Sequence, residues 1–354
     1  MKTDYLEKNL RNEDLSFEEA LNLFDLPIHE LGKVADTIRR IKCGDIVAFV
    51  IDRNINYTNV CVSKCKFCAF YAKRKEDAYV LSYDEILKKV EEAVKCGATQ
   101  ILLQGGLNPD LGIEWFEKLF MEIKRRFKVH IHSLSPPEIL FLSKIEGLSI
   151  EEVLERLKKA GLDSLPGGGA EILSDEVRMK ISNKGRSDDW IEVMRTAHKL
   201  GMKTTATMMF GHIEREEHII EHLFRIRDLQ SETGGFTAFI PWTYQPGNNE
   251  LGKIVGKKVS PLRYLKIIAI SRIILHNIRN IQVSWLTQGM DVATLALEFG
   301  ANDFGGVMLE ENVVRATGKE FKPAKVEEII SRVKAIGRIP ARRDTYYNIL
   351  EVYL

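Results

Sequence analysis

Short β-rich runs alternate eight times with longer amphipathic stretches in this 354-residue chain, and this alternation constrains the fold more than any other feature. Within residues 83–96, for example, Ile86, Val90 and Val94 recur at helical spacing with charged residues between them, which indicates one apolar face. The predicted strands are Val47–Arg53, Gln100–Gln104, Val129–Ser133, Ser164–Pro166, Thr204–Met209, Gly235–Pro241, Ile281–Ser284 and Phe304–Val307. The predicted helices that alternate with them are Tyr83–Cys96, Ile113–Phe127, Ile150–Ala160, Asp188–Leu200, Glu214–Thr233, Pro261–Ile278, Thr287–Phe299 and Ala324–Ile336.

Repeated strand–helix units favour a parallel sheet covered by helices, which is an α/β fold. A closed (β/α)8 barrel of the TIM type is the economical solution, and an open doubly wound sheet is the alternative. The barrel is favoured because polar or glycine-rich motifs directly follow the strands, at 104–106, 132–137, 167–171, 210–212, 242–245 and 284–285. A barrel gathers such motifs on one face. Helical patterns at Ser16–Phe24 and Ile28–Lys42 predict an N-terminal helical extension over 1–46, followed by the barrel and a C-terminal segment over 47–354.

The charge balance and the apolar pattern bear on partners and on location. The 51 basic and 50 acidic residues give a net charge of +1, whereas a nucleic-acid binder normally has a basic excess. We therefore expect a small-molecule substrate and no nucleic-acid partner. The N-terminus is polar, unlike a signal peptide, and the apolar stretch 264–278 is interrupted by Lys266, Arg272 and His276, so no membrane span is expected. Clustered rather than scattered cysteines predict a reducing, cytoplasmic location.

Cys61, Cys65 and Cys68 form a CxxxCxxC motif that can place three thiolates at three corners of an iron–sulfur cube. The other two cysteines, Cys43 and Cys96, fall in predicted helices. Three local ligands leave one iron open, as catalytic metal sites require. Zinc is an alternative, but it prefers four ligands and paired CxxC spacings. The spacing is also compatible with a redox pair that omits Cys61 and with a chance cluster of structural cysteines.

This spacing, with the aromatic Phe67 before the third cysteine, resembles the radical S-adenosylmethionine (SAM) superfamily. The resemblance implies a 4Fe–4S cluster whose open iron binds SAM, and reductive cleavage of SAM to a 5′-deoxyadenosyl radical. It implies an electron donor such as flavodoxin or ferredoxin as a partner. In such enzymes the cofactor carries the difficult chemistry, and the protein orients and shelters the radical.

The same resemblance suggests which residues contact SAM. Gln104, Gly105 and Gly106 look like the glycine motif that approaches the methionine amino group, with an ordinary strand-exit turn as the alternative. Glu171 matches the position of a carboxylate near SAM, with a surface helix cap as the alternative. The remaining candidates for SAM binding, each with a packing role as the alternative, are Phe67, Tyr71 and Ser135.

Beyond the cysteine motif, the segments 132–138, 161–171, 208–214 and 239–246 are similar to radical-SAM enzymes of the futalosine and deazaflavin pathways. They look most like the family of cyclic dehypoxanthinyl futalosine synthases. That family implies removal of the C4′ hydrogen of dehypoxanthine futalosine and closure of a ring onto its arene, on the way to menaquinone. Aminofutalosine synthase and a deazaflavin (FO) synthase subunit are the nearest alternatives. A non-enzymatic iron–sulfur electron carrier or sensor is the alternative from another class.

Ring closure of this kind requires a base and a closed cavity. His212 is the candidate base because imidazole titrates near neutral pH, and Glu214 is expected to orient it or to cap the next helix. A structural role for His212 is the alternative. Arg342 and Arg343 are expected to face solvent, with a paired hydrogen bond to the substrate's benzoate carboxylate as the alternative. Candidate substrate contacts, with core packing as the alternative for the aromatic residues, are Trp242, Tyr244, Gln245, Ser284 and Trp285.

Overall fold

Parallel strands covered by helices make up the protein, as seen in a computed structural model that describes residues 2–354. The strands are β1 (Ile46–Val50), β2 (Asp52–Ile55), β3 (Gln100–Leu103), β4 (His130–Ser133), β5 (Ser164–Leu165), β6 (Lys203–Phe210), β7 (Phe236–Thr243), β8 (Asn280–Ile281), β9 (Asp303–Gly306), β10 (Ile339–Arg343) and β11 (Ile349–Val352). The helices are α1 (Lys2–Leu10), α2 (Phe17–Asn22), α3 (Ile28–Cys43), α4 (Tyr83–Lys95), α5 (Ile113–Arg126), α6 (Pro136–Glu146), α7 (Ile150–Ala160), α8 (Asp175–Ile181), α9 (Ser187–Lys199), α10 (Glu216–Thr233), α11 (Gly252–Val255), α12 (Pro261–Ile274), α13 (Trp285–Gln288), α14 (Met290–Ala296) and α15 (Val326–Ala335).

The parallel strands close into a ring. Strands β2 to β8 form one seven-stranded sheet in chain order, and β1, which runs into β2 after a single residue, pairs with β9. The remaining gap, between β8 and β9, is joined by a bridge between Gln282 and Asp303 and by a 3.0 Å hydrogen bond from the Val283 N–H to the Asp303 carbonyl. With β1 and β2 counted as one strand, eight strands surround the axis. The predicted barrel is confirmed.

Local sequence explains where many of the covering helices begin. Helices α2, α4 and α7 begin with capping boxes at Ser16, Ser82 and Ser149. In each, the serine hydroxyl accepts a hydrogen bond from the N–H of the glutamate three residues later, and the carboxylate of that glutamate accepts one from the serine N–H. Each such cap contributes about 1 kcal/mol. Apolar residues of these helices then face the barrel, and fully burying one large aliphatic side chain contributes about 1.5–3 kcal/mol.

The sequence missed helix α6, because the Ser135–Pro137 segment looked like a loop. In the structure Ser135 is the N-cap and Pro136 is the first helical residue. Proline suits this position because its fixed φ is helical and the N–H it lacks would have no helical partner. Helices α8 and α11 were also not predicted, while α1, α2 and α3 lie in the N-terminal region that was predicted to be helical.

The N-terminal helices share one hydrophobic core with the barrel helices. Leu31, Ala35 and Ile38 of α3 are fully buried in the same cluster as the apolar residues of α12. The buried Asn9 side chain of α1 adds a 2.7 Å hydrogen bond to the Ile273 carbonyl. No helix within residues 2–354 is long and apolar enough to cross a membrane.

The C-terminal segment closes the amino end of the barrel. Strand β10 extends the sheet beside β1, and β11 returns antiparallel to β10. Between them, Thr345 donates a 2.7 Å hydrogen bond to the Gln100 side chain at the start of β3. Arg343 lies over the ring of Tyr347 at 3.9 Å. These contacts put side chains of the last 12 residues inside the barrel.

Candidate active site

The three cysteines of the motif lie on one irregular loop between β2 and α4. Cys65 is only 3% exposed, and its Sγ lies 3.1 Å from the Ser63 Oγ and 3.3 Å from the Ser182 Oγ. Cys61 and Cys68 are partly buried. Burial raises the pKa of the Cys68 thiol, while hydrogen bonds from the backbone of residues 70 and 71 and the nearby Lys184 oppose that shift.

Distant parts of the chain hold this loop in place. The Val62 N–H donates to the Leu107 carbonyl at 3.0 Å, just beyond the glycine motif. The Lys66 N–H donates to the Ile181 carbonyl at the end of α8, at 2.9 Å. The Lys66 carbonyl accepts a further bond from the Leu251 N–H, also at 2.9 Å. Three tertiary anchors therefore position a segment that has no regular structure of its own.

A buried carboxylate and a buried ammonium lie beside the cysteines. The Glu171 carboxylate is 3.1 Å from the Lys184 Nζ and 3.3 Å from the Arg178 Nη1, and Glu171 is 3% exposed. The charges of Glu171, Cys65 and Cys68 outweigh desolvation and raise the pKa of Lys184. Glu171 is therefore not a surface helix cap. It fixes a positive charge next to Cys68, which opposes the effect of burial on the pKa of that thiol.

The glycine motif after β3 packs too closely for any side chain. A Cβ on Gly105 would lie 2.5 Å from the Tyr57 ring, and one on Gly106 would lie 2.1 Å from the Val60 carbonyl oxygen. The Gly105 N–H donates to the Glu138 carboxylate at 3.2 Å. Protein atoms therefore leave no room for a side chain at either glycine, and the contact of these glycines with SAM stays a prediction.

Glu138, which the sequence analysis did not single out, organises this corner of the site. It is a buried carboxyl in the first turn of α6, and it accepts hydrogen bonds from the Tyr57 hydroxyl, the Ser135 hydroxyl and the Gly105 N–H. Burial raises its pKa. An acidic residue three positions after an N-cap serine was the available signal, since this is the capping-box spacing.

The triple glycine after β5 lies against the proline pair at the start of α6. A Cβ on Gly169, which has a φ of +77°, would lie 2.3 Å from Pro137. A Cβ on Gly168 would lie 2.6 Å from the Gln104 amide and 3.5 Å from Ser135. Two motifs that are about 30 residues apart in sequence thus form one surface, which also includes Gln104.

A cavity of about 300 Å³ lies inside the barrel. Of the predicted substrate contacts, Trp242, Ser284 and Trp285 line it, as does the predicted SAM contact Gln104. The Trp285 Nε1 donates to the Gly306 carbonyl at 2.9 Å, which fixes the indole plane against the cavity. The volume lies at the lower end of the range for ligand pockets.

The two predicted catalytic residues and the other two predicted substrate contacts do not line this cavity. The His212 side chain is fully buried, with Nε2 3.2 Å from the Met209 carbonyl and Nδ1 3.1 Å from the Glu214 carboxylate. Glu214 accepts the Gly211 and His212 N–H groups, so it holds the turn after β6 and does not cap α10. Tyr244 hydrogen-bonds to Asn249, and Gln245 donates to the Thr243 carbonyl.

Charged side chains at the amino end of the cavity were not predicted. Arg343, expected to face solvent, is 4% exposed and lines the cavity, where it forms a double hydrogen bond with the fully buried Asp303. Strand β10 runs beside β1, which brings this arginine under the barrel. The nearby Asp52 also lines the cavity, and burial raises its pKa to about 6.

Replacing Asp52 with asparagine is expected to stabilise the fold in a pH-dependent way. Because the pKa of the folded carboxyl is raised from 3.8 to about 6, the folded wild type loses stability as pH rises through this window. The Asp52→Asn variant should therefore gain, relative to wild type, up to about 3 kcal/mol above pH 6 and little below pH 4. Urea unfolding from pH 4 to 8 measures this, with Asp110→Asn at an exposed loop position as control. A gap that does not change with pH would contradict the prediction.

Comparison with known proteins defines the class. The chain matches the model of the radical SAM superfamily over residues 55–226 and the model of the CofH/MqnC C-terminal region over residues 233–353. The second match includes Trp242, Ser284 and Trp285 on the cavity wall. The chain belongs to the radical SAM superfamily and is an enzyme of that class.

Within the superfamily, two groups of curated relatives are equally similar to this chain. It is 45% identical to the cyclic dehypoxanthine futalosine synthase of Halalkalibacterium halodurans, over 98% of this chain and 95% of that protein. It is 46% identical to the enzyme of that name from Streptomyces coelicolor, over 95% and 86%. It is also 46% identical to the 5-amino-6-(D-ribitylamino)uracil–L-tyrosine 4-hydroxyphenyl transferase 1 of Methanosarcina barkeri, over 94% and 89%.

Solved structures share the fold at low sequence identity. Methylornithine synthase (PylB) has a TM-score of 0.76 at 20% identity and covers 96% of this chain and 97% of its own. The [FeFe]-hydrogenase maturase HydG has a TM-score of 0.76 at 16% identity, over 96% and 76%. These likenesses show the barrel architecture.

Membership of the superfamily implies a 4Fe–4S cluster and SAM, and the residues present fit both. Three thiols on one loop, with no carboxylate among them, are the donor set that iron–sulfur clusters take. The backbone at Gly105 and Gly106 packs directly against the segment that leads into this loop and against Cys61. Within residues 2–354 no three His, Cys, Asp or Glu side chains are grouped to hold a single ion. A four-iron cube takes its thiolates at separate corners and does not require such a grouping.

Proposed function

We propose that this enzyme converts dehypoxanthine futalosine to cyclic dehypoxanthine futalosine in menaquinone biosynthesis. The observation that supports this most is the similarity to two cyclic dehypoxanthine futalosine synthases over at least 95% of this chain. That similarity extends through the C-terminal region, which contributes much of the cavity wall. The motif segments 132–138 and 161–171, which pack together at Gly169 and Pro137, support the same assignment.

In this proposal Cys61, Cys65 and Cys68 hold the 4Fe–4S cluster. When bound, the cluster and SAM supply a 5′-deoxyadenosyl radical, which removes the C4′ hydrogen of the substrate. Gly105 and Gly106 allow close backbone approach to SAM, and Glu138 keeps the motif rigid through the Gly105 N–H. The remaining residues proposed to contact SAM are Phe67, Tyr71, Gln104, Ser135 and Glu171.

The cavity walls orient the substrate and exclude water. Trp242 and Trp285 offer flat aromatic surfaces, and Ser284 offers a hydroxyl for a sugar. Ring closure then joins the C4′ carbon to the arene. To regain aromaticity the ring must lose a proton to a base and an electron to a one-electron acceptor, a role that the oxidised cluster would fill when bound. A buried cavity protects the carbon radical from solvent until this is complete.

The competing assignment is the transfer of a 4-hydroxyphenyl group from tyrosine to an aminouracil, which the name of the Methanosarcina barkeri relative describes. The test incubates reconstituted enzyme, SAM and reductant with dehypoxanthine futalosine in one reaction and with tyrosine plus 5-amino-6-(D-ribitylamino)uracil in another. We expect substrate-dependent 5′-deoxyadenosine and a cyclised product, seen by mass spectrometry, in the first reaction alone.

Product in the second reaction alone would replace the cyclase assignment with the transferase while leaving the radical SAM class intact. A matched control omits SAM, because 5′-deoxyadenosine formation requires it. Flavodoxin or ferredoxin is the proposed physiological reductant, and a chemical reductant replaces it in this assay.

A further inference from the structure

A chain of three side chains connects the barrel cavity to the opposite end of the barrel. The Nδ1 of His132 lies 2.6 Å from the Ser164 Oγ, and the same Oγ lies 2.7 Å from the Nε2 of His130. His130 and His132 are two residues apart on β4, so their side chains lie on the same face of the strand, and Ser164 lies beside His132 on β5. One hydroxyl therefore bridges two imidazoles.

His132 is the end of this chain that reaches the cavity. It lines the cavity together with Gln104 and Trp242. Its Nδ1 contacts the Ser164 hydroxyl. Among the described residues no group forms a hydrogen bond with its Nε2, and this atom is not among the fully buried polar atoms that lack a partner. The Nε2 is thus free to accept a proton or a hydrogen bond from a molecule held in the cavity.

His130 is the end that reaches solvent. It lines an open depression of about 710 Å³ on the outside of the barrel, at the amino ends of the strands. The edge of the Tyr346 ring packs on it at 4.9 Å between ring centroids. The charged groups that act on His130 are Asp163, Lys124 and Asp344.

The two carboxyl groups that line the cavity already accept hydrogen bonds from protein groups. Glu311 accepts hydrogen bonds from the N–H groups of residues 313, 314 and 315. Asp52 accepts the Met308 N–H at 2.9 Å and is the remaining carboxyl that lines the cavity. The other hydrogen-bond partner of Asp52 is the side-chain amide of Gln100. An amide does not pass a proton onward as a hydroxyl or an imidazole does. The histidine–serine chain is therefore the better proton path out of the cavity.

We propose that His132, Ser164 and His130 form a proton relay that carries a proton released in the cavity to water in the open depression. The relay rests on the proposed function, because ring closure onto an arene releases one proton inside a closed barrel.

The proton transfer balances within the relay, and the electron that the ring also loses goes to the one-electron acceptor named in the proposed function. The Nε2 of His132 takes the proton from the carbon that rejoins the arene, whose C–H electron pair stays with the ring. His132 gives the proton on its Nδ1 to the Ser164 Oγ, and Ser164 gives its own to the Nε2 of His130. His130 then releases its Nδ1 proton to water, so one proton enters and one leaves. Reversal of the two ring tautomers and rotation of the hydroxyl reset the chain.

The electrostatics suit such a relay. Burial lowers the pKa of His132 to about 3 and that of His130 to about 4, so both rings are neutral at neutral pH. A neutral ring has one N–H donor and one acceptor nitrogen, as each relay member requires. Because a charged imidazolium is unfavourable here, a proton moves through the chain and is not trapped in it.

The decisive variant is His130→Ala, which breaks the solvent end of the relay and opens a space that imidazole can enter from the depression. We expect cyclised product to form about 10- to 100-fold more slowly, in line with the loss of a proton-transfer group. Added imidazole should restore the rate in a saturable way. Ser164→Ala should slow the reaction similarly but should not respond to imidazole, because His130 still fills the site.

His198→Ala is the matched control. The His198 ring also bridges two hydroxyls, those of Thr233 at 2.6 Å and Thr204 at 2.7 Å, but it does not line the cavity. It should therefore lose stability without imidazole rescue of the rate. Thermal unfolding of all variants separates folding defects from relay defects.

Wild-type rates in both His130→Ala and Ser164→Ala, or a slow His130→Ala that imidazole does not rescue, would overturn the relay. A further readout is the solvent deuterium isotope effect on product formation, which should be larger in His130→Ala than in wild type. If wild type itself makes no cyclised product, the proposed function fails, and this is seen before any variant is compared.

Discussion

Replacing Cys65 with alanine is expected to abolish the brown iron–sulfur chromophore and all SAM cleavage. Cys65 is the most buried of the three motif thiols and lies between the Ser63 and Ser182 hydroxyls, on a loop with tertiary anchors on both sides. With two cysteines left, the motif cannot hold a cube at three corners. Iron and sulfide content, the visible spectrum and 5′-deoxyadenosine formation measure the effect after anaerobic reconstitution.

Cys96→Ala is the control for this experiment. Cys96 is exposed at the C-cap of α4, away from the motif loop, so its loss should leave the chromophore and SAM cleavage unchanged. Full retention of activity in Cys65→Ala would disprove the ligand assignment. Zinc in anaerobically prepared wild-type protein would disprove the iron–sulfur assignment itself.

Replacing Gly106 with alanine is expected to impair cluster assembly and SAM binding and to lower the stability of the fold. The new Cβ would lie 2.1 Å from the Val60 carbonyl oxygen and 2.8 Å from the Cys61 Cβ, so the cysteine loop must move. Overpacking of this kind costs about 1–3 kcal/mol. We expect at least a tenfold weaker SAM affinity, which corresponds to about 1.4 kcal/mol. Equilibrium binding of SAM to reconstituted protein measures it.

Gly201→Ala separates this effect from a general cost of replacing glycine. Gly201 has a φ of +75°, and no heavy atom lies within 4 Å of an added Cβ. Alanine there should cost about 1–2 kcal/mol through backbone strain alone, without a change in SAM affinity. Equal SAM affinities for Gly106→Ala and wild type would show that the glycine motif does not shape the site.

The polar motifs that follow the predicted strands contain residues that line the cavity and residues that do not. Gln104, Trp242, Ser284 and Trp285 follow strands and line the cavity, because the carboxyl ends of barrel strands converge. His212 also follows a strand, yet its ring turns toward Glu214 and the Met209 carbonyl. Position after a strand predicts nearness to the site, whereas the direction of a side chain depends on its neighbours.

Interactions across the barrel explain most of what the sequence did not reveal. Glu138 looks like an ordinary helix-start glutamate, and only the fold brings the Tyr57 hydroxyl and the Gly105 N–H to it. Arg343 looks like a terminal surface arginine, and only the pairing of β10 with β1 places it beside Asp303.

The sequence by itself determined the strand–helix order, the barrel class and the cysteine motif, because periodicity and ligand spacing are local along the chain. The tertiary structure alone decided which polar side chains meet inside the barrel, including the His132–Ser164–His130 chain and the Asp303–Arg343 pair. Their members are up to 40 residues apart, and burial compels them to find hydrogen-bond partners that no local pattern specifies.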